Sequence, residues 1–167
     1  MTTRFRARGA VAAALALAIL PGCGGGGGNG PTTPPVTQAP APVRTLIIQG
    51  GFSLVGIAEA QRQGAPADYV RHEFTTTGAG TLEVNADWTF SSTQMLVGVV
   101  RGACSFAQID TALNGGAVAC PEVGGTFPSP KPARVTITNL AAGSYTLVVA
   151  NITNISESGN YQVFLTR

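Results

Sequence analysis

Thr81-Leu-Glu-Val-Asn-Ala-Asp-Trp-Thr-Phe90 alternates without a break. Leu82, Val84, Ala86 and Trp88 fall on one side; Thr81, Glu83, Asn85, Asp87 and Thr89 fall on the other. A period of two marks a strand with one dry and one wet face. Close behind it, Met95 to Val100 is a continuous apolar run, the pattern of a central strand covered on both faces. Val135 and Ile137 alternate with Arg134, Thr136 and Thr138, and Asn139 to Gly143 then reads as a turn. Gly143-Ser-Tyr145-Thr-Leu147-Val-Val149 is echoed sixteen residues later by Gly159-Asn-Tyr161-Gln-Val163-Phe-Leu165. Between the two lies Asn-Ile-Thr-Asn-Ile-Ser-Glu-Ser, which suits a loop joining antiparallel strands. Further strands are expected over Leu46 to Ile57 and Tyr69 to Thr77. Only Ala58 to Gln63 and Ser105 to Leu113 have room for a helical turn or two. The expected fold is all-β: a jelly-roll-like antiparallel sandwich of seven to nine strands.

Outward from these strands the composition changes. The folded part is expected over residues 45–167, a length able to bury a real core. Before it, residues 23–44 are a cysteine followed by five glycines and a run rich in Pro and Thr. Gly-rich chain is flexible and Pro-rich chain a stiffer spacer, so this segment reads as a tether reaching at most ~70 Å. The glycine run has no following Lys-Ser/Thr and no flanking strand and helix, which removes the phosphate-loop reading. Residues 1–22 have the three zones of an export signal: Arg4, Arg6 and Arg8, then the apolar run Gly9 to Leu20, then small residues. As a helix that run would span about 18 Å, short of the ~30 Å hydrocarbon core.

Leu20-Pro-Gly-Cys23 resembles the bacterial lipobox. The resemblance implies cleavage before Cys23 and acylation of its thiol and new amino terminus. Two or three acyl chains, palmitate among them, would hold the chain on a membrane, where one chain binds only marginally. It further implies the bacterial cell envelope, and because Gly24 replaces the Asp that retains some lipoproteins at the inner membrane, an outer-membrane destination is favoured. Lipidation of Cys23 leaves Cys104 and Cys120, sixteen residues apart. In an exporting compartment a disulfide is the favoured reading. The alternative, a metal site, lacks any Cys-x-x-Cys pair and has only His72 as a histidine.

The strand bearing Trp88, the apolar strand after it, the Cys104–Cys120 loop and the ending VTITNL-AAGSYTLVVAN…GNYQVFLTR together resemble the bacterial pre-peptidase C-terminal domain. The resemblance covers residues 72–167. It implies a small β-sandwich module of exported proteins, often joined to secreted proteases, with no catalytic residues to carry over.

Chemistry-bearing residues are sparse. His72 shares strand parity with Val70 and Phe74, which points it to the core or its margin. Ser53 lacks the second glycine of a Gly-x-Ser-x-Gly elbow. Glu83 and Asp87 share a face about 13 Å apart, beyond the roughly 5 to 9.5 Å of glycosidase carboxylate pairs. Asp68, Glu73 and Asp110 read as solvated acids, and no calcium loop is present in the sequence. Trp88, Tyr145 and Tyr161 fall on apolar parity and read as core rather than as sugar platforms. Phe127, among three prolines, and neighbouring Lys131 are the candidate partner contacts. Asn151-Ile-Thr and Asn154-Ile-Ser match a glycosylation sequon that a bacterial lipoprotein would not ordinarily use.

The formal charge of +2 argues against nucleic acid, and removing residues 1–22 leaves 7 basic against 8 acidic side chains. The expected function is therefore non-enzymatic. It is that of an envelope lipoprotein, anchored in a membrane, presenting its sandwich to a protein or glycan without cofactor or metal. The alternatives are a small envelope hydrolase and an accessory module assisting a secreted protease. Oligomeric state is left open.

Overall fold

The computed structural model describes residues 39–117 and 120–167. The expected signal, Cys23 and most of the tether lie outside the described residues. The unit Ala39–Arg167 contains eight strands and two short helices among those residues. In chain order they are β1 (Arg44–Leu54), α1 (Ile57–Arg62), β2 (Asp68–Thr76), β3 (Gly80–Trp88), β4 (Met95–Arg101), α2 (Phe106–Leu113), β5 (Glu122–Ser129), β6 (Ala133–Leu140), β7 (Gly143–Asn151) and β8 (Glu157–Thr166). They form two antiparallel four-stranded sheets, ordered β1-β8-β3-β6 (sheet A) and β2-β7-β4-β5 (sheet B). This order is that of an eight-stranded jelly roll, in which the chain mostly crosses between sheets from one strand to the next.

The core lies between the sheets and is supplied by the apolar parity of each strand. From β3 it takes Leu82, Val84, Ala86 and Trp88; from β4, Met95, Val97 and Val99; from β7, Tyr145, Leu147 and Val149; from β8, Tyr161, Val163 and Leu165. Full burial of one such side chain contributes roughly 1.5–3 kcal/mol. The polar tips of the aromatic residues are satisfied locally. Trp88 Nε1 donates to the Thr93 carbonyl at 3.2 Å, and the Tyr145 hydroxyl donates to the Ala141 carbonyl at 2.7 Å.

The Met95–Val100 run is apolar throughout because β4 has two dry faces. Met95, Val97 and Val99 face sheet A, whereas Leu96 and Val100 join Val148 of β7 beneath α2. Helix α2 begins with a capping box, Ser105 with Gln108, and buries Ile109 against this outer face of sheet B. Cys104 and Cys120 are disulfide-bonded across the α2 excursion, as the sequence favoured.

Four expectations need correction. The first strand stops at Leu54 rather than Ile57: Gly56 caps α1 and is packed so closely that a Cβ there would sit 2.4 Å from the Asn154 carbonyl oxygen. The third strand stops at Trp88 rather than Phe90, where Thr89 and Phe90 peel away to bond a buried carboxylate. The folded part starts earlier than residue 45, since Val43 already exchanges backbone hydrogen bonds with Arg167. The two similar strands β7 and β8 do not pair with one another. Residues 152–156 carry the chain across the sandwich, so β7 lies between β2 and β4 while β8 lies between β1 and β3.

The Cys104–Cys120 bond closes a loop of about 15 residues, worth about 3 kcal/mol in the chain-entropy account. The double substitution Cys104→Ser, Cys120→Ser is therefore expected to lower the urea-unfolding free energy by about that amount. Reductant should lower the parent protein to match and leave the variant unchanged. Equal stability of oxidised parent and variant would refute this.

Candidate functional site

The outer faces of the two sheets differ. That of sheet B is partly covered by α2, whereas that of sheet A carries no helix among the described residues and is polar. Its side chains come from the wet parity of four adjacent strands: Gln49 on β1, Asn160 and Gln162 on β8, Asn85 and Asp87 on β3, Arg134 on β6. Register sets them side by side. Gln49 pairs with Gln162, Gln162 with Asn85, and Asn85 with Arg134, giving one polar rung across the whole sheet. With strands ~4.8 Å apart, the rung runs about 14 Å. In the next rung toward the β3–β4 loop, Gly51, Asn160 and Asp87 follow one another.

Two depressions lie along these rungs. One, about 460 Å³, is lined by Asn85, Asp87, Pro132, Arg134, Asn160 and Gln162, with Arg44 at its side. The other, about 410 Å³, lies over Gln49, Gly50 and Gly51 and shares Asn160 and Gln162 with the first. Together they make a trough across the strands. Its walls are held in place by contacts at both ends. At one end Arg44 stacks its guanidinium 3.4 Å from the centre of the Phe164 ring and donates to Glu83 at 2.9 Å. At the other, Lys131 donates to the Thr89 carbonyl at 2.9 Å and lies 3.7 Å from Asp87, whose Oδ1 also accepts the Trp88 N–H. Arg134 has no carboxylate within ion-pair distance among the described residues.

The candidates read from sequence fall elsewhere or at the margin. Phe127 is 65% exposed, on the outer face of sheet B beside a small depression over Gly98 and Gly125. Lys131 stands at the rim of the sheet A trough, so the structure separates the pair. Cys23 lies outside the described residues. His72 sits at the core margin and is hydrogen-bonded through Nδ1 to the Tyr161 hydroxyl at 2.8 Å. Ser53 accepts a hydrogen bond from Ser158 Oγ at 3.4 Å, and lies three residues along β1 from Gly50, which faces His72's partner Tyr161. Trp88, Tyr145 and Tyr161 are buried, as their parity predicts.

Asp68 and Asp110, read as solvated acids, are half-buried and each also accepts a hydrogen bond within the fold. Asp68 accepts the Val55 N–H at 2.7 Å, and Asp110 accepts the Tyr69 hydroxyl at 2.9 Å. Asn151 is fully buried and holds the β7–β8 loop through the Val55 and Ile155 carbonyls, which explains why its sequon is no surface feature. Among the described residues no group of three or more His, Cys, Asp or Glu is placed to hold a metal ion. No described helix is long and apolar enough to cross a membrane.

Sequence reasoning missed two groups. Glu157 is buried and accepts the N–H groups of Thr89 and Phe90 at 3.0 and 3.1 Å, fixing the loop at the trough's upper end. Its position after Ser156, at a strand start, carries no sequence signal for burial. The polar rung was visible only as wet parity on separate strands, because the strand order that joins them is not written in any one segment.

No protein-family model and no curated protein matches the chain. Among solved structures it is similar to the mitogen derived from Yersinia pseudotuberculosis, with 11% identity and a TM-score of 0.46, over 75% of this chain and 87% of that one. It is also similar to the carbohydrate-binding module CBM36, solved in complex with calcium and xylotriose. That match has 14% identity and a TM-score of 0.33, over 76% of this chain and 99% of that one. Both likenesses are of fold.

Two buried-side phenols give the domain a pH signature. Tyr69 is pushed well above its ordinary value of 10.0 by burial, then by its hydrogen bond to Asp110 and by that carboxylate's charge. Tyr161 is raised by burial. A phenol that ionises later in the folded than in the unfolded chain adds stability that is complete below pH 10 and is lost as pH rises toward its folded value. Urea midpoints should therefore fall above about pH 10, and Tyr69→Phe should flatten that fall. A variant whose alkaline loss equals the parent's would refute the assignment to Tyr69.

Proposed function

We propose that this chain is a non-enzymatic recognition protein of the bacterial cell envelope, tethered by lipid on Cys23 and binding its partner on the outer face of sheet A. One observation carries the reading: a polar rung, Gln49–Gln162–Asn85–Arg134, runs unbroken over four strands on a face that no helix covers among the described residues. A face made only to be wet needs no depression and no register-matched row of amides. Support for the anchor comes from the lipobox-like Leu20-Pro-Gly-Cys23 and the Gly/Pro-rich residues after it. The resemblance to the pre-peptidase C-terminal domain points the same way, toward a sandwich that accompanies exported proteins and contributes no catalytic group.

The position of entry fits presentation. Val43 and Arg167 pair at one end of the sandwich, while Lys131, Asp87 and Asn160 gather toward the other. The larger depression runs from Arg44, beside that entry, to Asp87 and Asn160. Near-neutral composition, 7 basic against 8 acidic residues after residue 22, makes electrostatic capture of a highly charged partner a poor fit.

Two measurements test the proposal. The parent should fractionate with membranes and yield a diacylated peptide beginning at Cys23 by mass spectrometry, whereas Cys23→Ala should lose both properties; a Cys23→Ala protein still in the membrane fraction would refute the anchor. Separately, the segment 39–167, which contains the whole core and the disulfide, should be captured by isolated envelope material. Asn85→Ala combined with Gln162→Ala should weaken that capture by at least about tenfold. Undiminished capture would remove sheet A as the recognition face.

A further inference from the structure

We infer that the outer face of sheet B holds a second site, for a small amphiphilic amine whose apolar body lies under α2 and whose ammonium group meets Glu122. This surface is on the other side of the sandwich from the sheet A trough, so neither reading rests on the other. Cavity, charge and strand floor each point to it.

Helix α2 roofs the apolar outer face of sheet B without filling the space beneath it. Between Ile109, Ala112 and Leu113 of the helix and Leu96, Val100 and Val148 of the sheet, a cleft of about 220 Å³ remains. Protein interiors ordinarily leave few voids larger than a water molecule. An apolar cavity of ~150 Å³ already admits a benzene ring, so this one has room for about six to ten non-hydrogen atoms. Gln108, at its edge, is engaged in the helix cap, where its Oε1 accepts the Ser105 N–H at 2.8 Å.

Charge decides the other half of the ligand. Beside the cleft on β5 lies a smaller hollow of about 140 Å³, bordered by Gly98, Gly125 and Phe127. Leu96 and Glu122 line both spaces, and Glu122 is the only charged residue of either. Its side chain has no cation within ion-pair distance among the described residues. The cations nearest in the fold are turned elsewhere: Arg71 to Glu73 and the Cys104 carbonyl, Arg101 to the Tyr145 ring. An ammonium group meets an unmatched carboxylate here, whereas an anionic ligand meets only repulsion. Phe127, 65% exposed at the far side of the hollow, adds an aromatic ring to the same site, which suits a cation.

The floor joining the two spaces is bare backbone. Gly98 and Gly125 are register partners on β4 and β5. Glycine inside a strand marks a bulge or a close approach from outside, and the register shifts of this pair of strands fall on either side of Gly98 and Gly125, not at them. A Cβ at Gly98 would meet only Leu96, at an ordinary 3.8 Å, so the packing of the domain does not require glycine there. A Cβ at Gly125 would press on the Val97 carbonyl oxygen at 3.0 Å and on Glu122 Oε1 at 2.9 Å. The carboxylate therefore lies over the bare strand, between the apolar cleft and Phe127.

The test is a nitrogen-15 NMR titration of the disulfide-bonded segment 39–167, which holds both sheets and the whole core. Three probes of similar shape are used: phenethylamine, phenethyl alcohol and phenylpropanoate. The amine should shift the backbone signals of Gly98, Ile109, Leu113 and Glu122, and bind at least about fivefold more tightly than the alcohol. The carboxylate should bind more weakly than either. In Glu122→Gln the alcohol should bind as in the parent while the preference for the amine disappears. Ala112→Phe, which fills the cleft, should abolish binding of amine and alcohol alike. The inference fails if alcohol or carboxylate matches the amine, if Glu122→Gln keeps the preference, if the shifts gather on sheet A, or if no probe binds at millimolar concentration. Glu122 is exposed and its replacement leaves the core untouched, so the charge comparison stays decisive even where Ala112→Phe disturbs the helix.

Discussion

Everything in sheet A depends on where Tyr161 can go. Its ring needs a gap, and the strands on either side supply one: Gly50 on β1 and Ala86 on β3 stand directly opposite it. A Cβ at Gly50 would lie 2.4 Å from the Tyr161 hydroxyl oxygen, so no other residue fits there without displacing the ring. The hydroxyl then reaches His72 on β2, which ties the two sheets at their β1–β2 edge. Sliding β8 by one residue would turn Tyr161, Val163 and Leu165 to water and bring Asn160 and Gln162 into the core. The wedge thus sets the register of three strands at once. Because the polar rung is the neighbouring row of that same register, the constraint that closes the core also aligns Gln49, Gln162, Asn85 and Arg134 outside it.

The parts of this arrangement that sequence could disclose are those encoded within single strands. Leu82, Val84, Ala86 and Trp88 declare their face because each is separated from the next by one polar residue. Met95 to Val100 declares two dry faces because polar residues are missing from it. Tyr145 and Tyr161 could be assigned to the core on the same ground. What alternation cannot carry is strand order. The likeness of β7 to β8 and the loop between them suggested neighbouring antiparallel strands, but each is central in its own sheet and takes different neighbours. That likeness reflects a shared position, a strand with partners on both sides, rather than mutual pairing. Glu157 shows another limit. A carboxylate is expected at the surface, and only the loop N–H groups of Thr89 and Phe90, brought from far along the chain, make its burial tolerable.

The Cys104–Cys120 excursion settles which face is left open. Apolar Leu96, Val100 and Val148 would make sheet B's outer surface costly in water. Helix α2 covers them, and the disulfide holds it there while Arg71 reaches from β2 to the Cys104 carbonyl. Sheet A needs no such cover, since its outward residues are mostly polar and Phe164, its outward aromatic ring beside Leu46, already lies under Arg44. The asymmetry between the sheets is therefore written in parity: one outer face is apolar and has been roofed, the other is polar and has not.

Polarity alone would make sheet A merely soluble, and it is the pinning of its ends that argues for more. Solvated side chains on a strand are ordinarily free to turn. Here Arg44 is stacked on Phe164 and bonded to Glu83, and Asp87 is held by the Trp88 N–H with Lys131 beside it. The charged groups at the margins are thereby occupied with one another. The amides between them, with Arg134, keep their hydrogen-bonding capacity for something outside the chain. An exposed ion pair contributes little to stability, on the order of 0–1 kcal/mol, so these contacts are weak reasons for folding. They are better reasons for shape, because fixing the margins lowers the ordering cost that a ligand would otherwise meet in the trough.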